Sequence, residues 1–188
     1  NYVDLDDAST YKPQKNEPYL LVSFAPIWKI SNFLQQLYAE DISGFRFIKG
    51  LVICSSSSVL TKRFASNKFD KDLHYKLKNS EDKIFDLSKK LKKPLFIIRP
   101  TLIYGNVDEF RDKNINIIIS IMRKIPFVLV PSSSGMRQPI HAIQLAELIF
   151  LKCQLVWESK FQQREKILVG GDYIFSFKSM LMKIKKAL

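Results

Sequence analysis

Residues 95–105, LFIIRPTLIYG, constrain the fold of this 188-residue chain more than any other stretch. They open on the apolar run Leu95-Phe96-Ile97-Ile98. The run is short, β-branched and bounded by prolines, which predicts a strand covered on both faces. Arg99-Pro100 then stops the strand, because proline has no N–H to offer a neighbour. A lysine-rich amphipathic segment precedes it and ends at Pro94. A buried strand that follows a helix and ends at polar residues is how an open α/β sheet makes a ligand crevice. Binding is therefore expected near residues 99–104.

The chain before this point alternates in the same way. Residues 19–24, YLLVSF, read as a buried strand that Ala25-Pro26 breaks. Residues 27–39 carry an apolar stripe at Ile27, Ile30, Phe33, Leu34, Leu37 and Tyr38, which predicts a helix stopped near Gly44. Residues 45–54 form the next strand, with the serine run 55–58 after it, and 61–72 read as an exposed loop. Residues 73–92 place Leu73, Leu77, Ile84, Leu87 and Leu91 at helical spacing. Strand, helix, strand, helix, strand implies right-handed crossovers and a parallel sheet. Beyond it, 106–114 read as a loop, 115–124 as a helix, 127–130 as a short strand and 132–135 as a turn. A helix over 143–155, a strand over 166–169, a turn at Gly170-Gly171 and a helix capped by Ser176 complete the chain. The fold class expected is α/β: a partial Rossmann-like, doubly wound parallel sheet with a small C-terminal substrate lobe. It forms one domain over 1–188, divided at about residue 105 into a sheet part and a mixed part.

The charge balance, 30 Lys+Arg against 18 Asp+Glu, gives a net +12. Such a balance suits a nucleic-acid or phosphate partner. The lysines are scattered, however, and no nucleic-acid motif appears, so a bias toward Lys, Ile, Phe, Asn and Ser accounts for it and nucleic acid is not the expected partner. Cys54 and Cys153 lie far apart and, like His74, lack metal-ligand spacing; no metal is expected and the compartment is reducing. The polar, acidic start shows no signal peptide, and no apolar run reaches a membrane-spanning length, so the expected location is the cytoplasm. The six glycines form neither G-x-G-x-x-G nor a P-loop.

Several segments, in order, resemble the NAD(P)-dependent epimerase/dehydratase family of extended or atypical short-chain dehydrogenases/reductases. VICSSSSV (52–59) resembles the strand and serine segment that carries the family's catalytic Ser or Thr. Glu81 stands eighteen residues before Arg99, the offset of the glutamate in the family's helix. IIRPTLIYG resembles the strand and turn that line cofactor and substrate, GMRQPIHAIQLAEL the R-x-x-x-H segment with its helix, and ILVGGDYIFSFKSMLMKI the C-terminal strand, Gly-Gly turn and helix. The likeness covers nearly everything from Tyr19 onward. It implies a nucleotide-sugar epimerase, dehydratase or reductase of surface-polysaccharide or nucleotide-sugar metabolism, with NAD or NADP as cofactor, a nucleotide sugar as substrate and a homodimer as an option. The family's Gly-rich pyrophosphate turn has no counterpart, which reads as a fragment lacking its N-terminal nucleotide-binding segment and inactive by itself.

The family's reaction moves a hydride between nicotinamide and a sugar carbon. A lysine-assisted tyrosinate takes the proton while a Ser or Thr holds the same oxygen. Alignment puts Ser56 at the Ser/Thr position. Counting back from Glu81, Leu77 and Leu73 stand where the lysine and tyrosine belong; Tyr75 and Lys78, which share a helix face at i and i+3, are the shifted candidates. Ala25, Pro26, Ser55 and Pro100 fall on cofactor-lining positions, and Thr101, Tyr104 and Arg137 on substrate positions. Arg137 would hold the diphosphate with its planar fork. His141 and Arg99 read as structural, with Arg99 anchoring the turn after its strand, and Gln144 replaces an acidic residue. Two other readings stay open: a catalytically decayed relative that binds a nucleotide sugar or scaffolds a partner, and a basic nucleic-acid-binding module.

Overall fold

A computed structural model describes residues 3–12, 17–40, 42–107, 109–125, 135–158 and 163–188. The chain divides into two compact units: residues 1–99 with 149–168, and residues 100–148 with 169–188. The strand expected over 127–130 and most of the turn over 132–135 lie outside the described residues.

The first unit is built on a four-stranded sheet. Its strands are β1 (Tyr19–Ser23), β2 (Ile48–Cys54), β3 (Leu95–Pro100) and β9 (Arg164–Val169), side by side in that order. β1 pairs parallel with β2, and β2 with β3. Leu95 N–H donates to Gln163 O and Thr101 N–H to Val169 O, both at 2.9 Å. The two bonds advance in step along both strands, so β9 also runs parallel with β3. The α/β class and parallel sheet expected from the sequence are what the chain forms.

Side chains alternate across this sheet. Leu51, Ile53, Leu95 and Ile97 enter the main core, which α1 (Ile27–Glu40) and α3 (Lys68–Lys90) supply with Ile27, Ile30, Phe33, Leu34, Leu37, Leu77, Ile84 and Leu87. Val52, Phe96 and Ile98 are equally buried but stand outside that cluster. Their side is met by α5 (Ala142–Glu158): Lys152 Nζ lies 4.8 Å from the centre of the Phe96 ring, and Val156 packs against Gly50. A Cβ on Gly50 would fall 2.3 Å from Val156 Cγ1, so this approach needs glycine.

Several boundaries differ from expectation for local reasons. Residues 61–72 are not all loop. A short α2 covers Ser58–Thr61, and α3 begins at Lys68 because the Asn67 side chain caps it, Oδ1 accepting the Asp70 N–H at 2.8 Å. Apolar periodicity, which starts at Leu73, cannot see a polar first turn. β2 starts at Ile48 rather than residue 45, since 42–45 form a 3₁₀ turn. β3 runs through Pro100. Ile98 O accepts from Ser55 N, so Pro100, two residues on, turns its nitrogen to the same side, just past the end of β2 where no N–H is required.

The second unit consists of short pairs. β4 (Ile103–Tyr104) pairs parallel with β8 (Ile140–His141). β5 (Asn106–Val107) pairs with β6 (Phe110–Arg111), and β7 (Met136–Arg137) with β10 (Phe175–Ser176), both antiparallel. The loop expected over 106–114 thus contains a small hairpin. Two helices, α4 (Asn114–Lys124) and α6 (Phe177–Ala187), complete it; Ser176 caps α6 as expected, Oγ accepting the Ser179 N–H at 3.0 Å. No helix among the described residues is long and apolar enough to cross a membrane.

Cys54 sits at the end of β2, and burial pushes its thiol up to about 11 from the ordinary 9.0. The folded state therefore holds this proton more tightly than the unfolded chain. The resulting stability is complete below pH ~9 and drains away as the pH rises toward 11, by ~2–3 kcal/mol at most. The expected result is a urea midpoint that falls over this range and flattens in Cys54→Ala. At pH 8 the native thiol should react with an aromatic disulfide reagent far more slowly than the unfolded one.

Candidate functional site

In a parallel sheet all strands end on one edge, and here that edge carries small residues. After β1, Ala25 N–H donates to Ser23 Oγ at 3.3 Å, and Pro26 leads into α1. After β2 the serines divide their work. Ser55 N–H donates to Ile98 O, and its hydroxyl donates to Glu81 Oε1 at 2.7 Å. Ser56 is half-buried; its Oγ accepts the Ser58 N–H at 3.1 Å, which leaves the hydroxyl proton with no acceptor among the described residues.

Glu81 is the electrostatic centre of this edge. It reaches from α3 with its side chain fully buried. Arg99 Nε donates to both its oxygens, at 3.0 and 3.2 Å, and Arg99 Nη2 closes the fork on Oε2. Lys166 of β9 lies 3.7 Å from the same oxygen and donates to Asp82 Oδ1 at 2.7 Å. Lys78 donates to the other Asp82 oxygen at 2.8 Å. Burial pushes the Asp82 carboxyl up, but the hydrogen bonds and charges of Lys166 and Lys78 outweigh it and hold it below its ordinary value. Arg99 is thus structural, as its position suggested, although it holds a helix to a strand rather than anchoring a turn.

The helix face that carries Glu81 also carries Leu77, buried, and Leu73, packed on the core. Tyr75 is 66% exposed, its ring edge-on to His74 at 5.3 Å. No hydrogen bond joins Ser56 to Tyr75 or Lys78 among the described residues, and Lys78 is taken by Asp82. His74 is buried and donates from Nδ1 to Val59 O at 2.8 Å, which fastens α2 to α3. No group of acidic, His and Cys side chains able to hold a metal occurs among the described residues.

The second unit has a cavity of its own, of about 540 Å³. Tyr104, His141 and Gln144 line one part of it, and Asp172, Tyr173 and Phe175 another. The Tyr104 and His141 rings meet edge to face at 5.1 Å, and Tyr173 stacks on Phe175 at 6.2 Å. His141 Nδ1 accepts the Ile143 N–H at 3.2 Å, while Gln144 accepts from His141 N at 3.2 Å and donates to Asp172 at 3.0 Å. Gln144 therefore bridges two segments. Thr101 donates to Gln138 O, and Gln138 Nε2 donates to Gly171 O at 2.7 Å. A Cβ on Gly171 would stand 2.1 Å from Pro139 O, which explains the Gly-Gly turn. Arg137 is exposed; its guanidinium lies over the Phe177 ring at 5.5 Å and has no carboxylate partner among the described residues.

Tyr104, read from the sequence as a substrate contact, lines this cavity, while Asp172 and Tyr173, which also line it, and Gln138, which binds the 170–171 turn, were not singled out. Their roles come from the turn at 170–171 meeting the 137–141 segment, a pairing with no local signature.

The chain matches a UDP-galactose 4-epimerase with a TM-score of 0.66 at 14% identity, covering 95% of this chain and 64% of that one. It matches the dTDP-glucose 4,6-dehydratase of Bacillus anthracis str. Ames, in complex with NAD, at 0.62 and 14%, over 89% and 56%. A UDP-glucuronic acid 4-epimerase from Bacillus cereus, also with NAD, matches at 0.57 and 19%, over 83% and 51%. The likeness is one of fold. The chain spans between half and two-thirds of the length of these neighbours. No family profile matches it, and no curated protein does.

Proposed function

We propose that this chain serves NAD(P)-dependent chemistry on a nucleotide sugar, of the epimerase, dehydratase or reductase kind. The observation that supports it best is the carboxyl edge of the parallel sheet. There an unused Ser56 hydroxyl proton stands beside small residues, in a fold shared with enzymes solved with NAD. Ala25, Pro26 and Ser55 carry no bulk that would block the flat nicotinamide ring of such a cofactor, and Pro100 is assigned to it by the resemblance alone. The Ser55 hydroxyl is held by Glu81 and its N–H by Ile98 O, so only its carbonyl is left to a ligand. The cofactor, when bound, supplies the hydride acceptor. Ser56 would donate a hydrogen bond to the sugar oxygen where charge develops, and Tyr75 as base, with Lys78 as its cation, would take the proton that this oxygen loses. Thr101, Tyr104 and Arg137 would contact the substrate. Arg137, with no carboxylate partner among the described residues, is poised for the diphosphate. The same reading places the protein in the cytoplasm, in surface-polysaccharide or nucleotide-sugar metabolism, and allows a homodimer.

A specific observation favours a second reading. Leu73 and Leu77 fill the inner face of α3, Tyr75 is exposed and Lys78 is spent on Asp82, as in a relative that binds a nucleotide sugar without turning it over. Calorimetric titration of NAD, NADP and UDP-glucose into the full-length protein, with turnover assays alongside, tests both. Binding of either dinucleotide is expected, and Arg137→Ala should weaken UDP-glucose by about 10- to 100-fold. Absence of dinucleotide binding at millimolar levels overturns the assignment; binding without turnover selects the second reading.

A further inference from the structure

We propose that the segment between α2 and the first turn of α3 seats this protein on an anionic lipid surface, through Phe64 and Phe69. Phe64 is 88% exposed and Phe69 77%, with Leu60 nearly half exposed beside them. Phenylalanine has no polar end to satisfy in water, and rings this open are unusual on a protein surface. Here they are held in place. Asn67 caps α3 and also donates from Nδ2 to Asp70 Oδ2 at 3.0 Å, while Lys62 pairs with Asp70, which ties the turn to the helix. Backbone bonds from Arg63 N to Leu60 O and from Ala65 N to Lys62 O tighten the turn further. The rings are thus presented by an ordered scaffold.

Cations surround them. Arg63 lies 5.2 Å from the centre of the Phe64 ring and Lys62 5.9 Å from that of Phe69. Lys62 is neutralised by Asp70, which leaves Arg63, Lys68 and Lys71 against the single carboxylate Asp72. Exposed apolar rings on a basic segment, each with a cation at its face, match the two layers of an anionic membrane surface, acyl boundary below and phosphate above. The net charge of +12 adds long-range attraction to the same surface. Single-stranded nucleic acid fits less well. A cation already covers a face of each ring, where a base would stack, and Leu60 offers nothing to a base. A second copy of this chain would bring one basic segment against another.

Sedimentation of the whole chain with phosphatidylcholine–phosphatidylglycerol vesicles, and with phosphatidylcholine alone, tests the proposal. Binding is expected only to the anionic vesicles and should weaken as salt is added. Each Phe→Ser replacement should lower the partition coefficient about tenfold, and the Phe64→Ser/Phe69→Ser pair about a hundredfold. Arg63→Gln/Lys68→Gln/Lys71→Gln should remove the anionic preference while leaving both rings in place. Circular dichroism and the urea midpoint should stay unchanged in both variants, because the altered side chains are exposed. Failure to bind anionic vesicles, or binding that the double variant leaves intact, overturns the proposal. So does a double variant whose altered property is binding to a single-stranded oligonucleotide, or its oligomeric state, instead of vesicle binding.

Discussion

Glu81→Ala is expected to destabilise the protein by about 3–5 kcal/mol, because it breaks a buried ion pair from one side only. The carboxylate is fully buried and accepts from Ser55 and from the Arg99 fork, with Lys166 close by. Its removal leaves two cations facing each other in a poorly hydrated place and frees the Ser55 hydroxyl. The loss would show as a lower urea midpoint. Glu81→Gln should lose most of the same energy, since the amide keeps the shape but not the charge. Glu81→Leu/Arg99→Met, which replaces both partners with apolar groups, should recover much of it. If the single replacements cost less than ~1 kcal/mol, the edge of the sheet is held by its backbone alone.

Phe96→Ala is expected to cost about as much, ~3–5 kcal/mol, for a different reason. Phe96 is among the largest fully buried side chains, and it lies on the sheet face outside the main core. The aromatic volume there is matched from α5, where Lys152 lies over the ring and Val156 closes on Gly50. A cavity on this side cannot be refilled by the helices of the other face. Phe96→Leu should cost far less, ~1 kcal/mol. A small effect of the alanine replacement would mean that α5 collapses onto the sheet.

Phe96 belongs to the stretch on which the sequence reading was centred, and Glu81 binds that stretch through Arg99; together they show what could be read there. β1, β2 and β3 were legible because each is a short apolar run bounded by a proline or serines, and α1 because its apolar stripe repeats nearly to its end. The spacing of Glu81 and Arg99 was also visible, but not that the two side chains grip one another, since an offset of eighteen residues across a helix and a turn fixes no contact. The face covered by α5 was hidden for a further reason: this helix is apolar nearly all round, so its stripe points nowhere in particular. Lys166 could not have been singled out among so many lysines. Tyr75 and Lys78 were shifted candidates for a catalytic pair that the resemblance implies, and the structure pairs the lysine with Asp82, four residues away, the commonest use of a lysine on a helix surface.

The position of β9 bears on the order in which the chain can be completed. Its bond from Leu95 to Gln163 joins residues 68 positions apart, with most of the second unit threaded between them. A growing polypeptide that has just released β3 from the ribosome must wait several seconds, at roughly 5–20 residues per second, before the strand that covers its outer flank is made. During that interval a bare row of amides and carbonyls, set in one of the most apolar segments of the chain, is open to any extended peptide nearby. Translation speed across residues 101–163 thus governs how long this protein is vulnerable to misassembly, and slow codons there should lower its soluble yield.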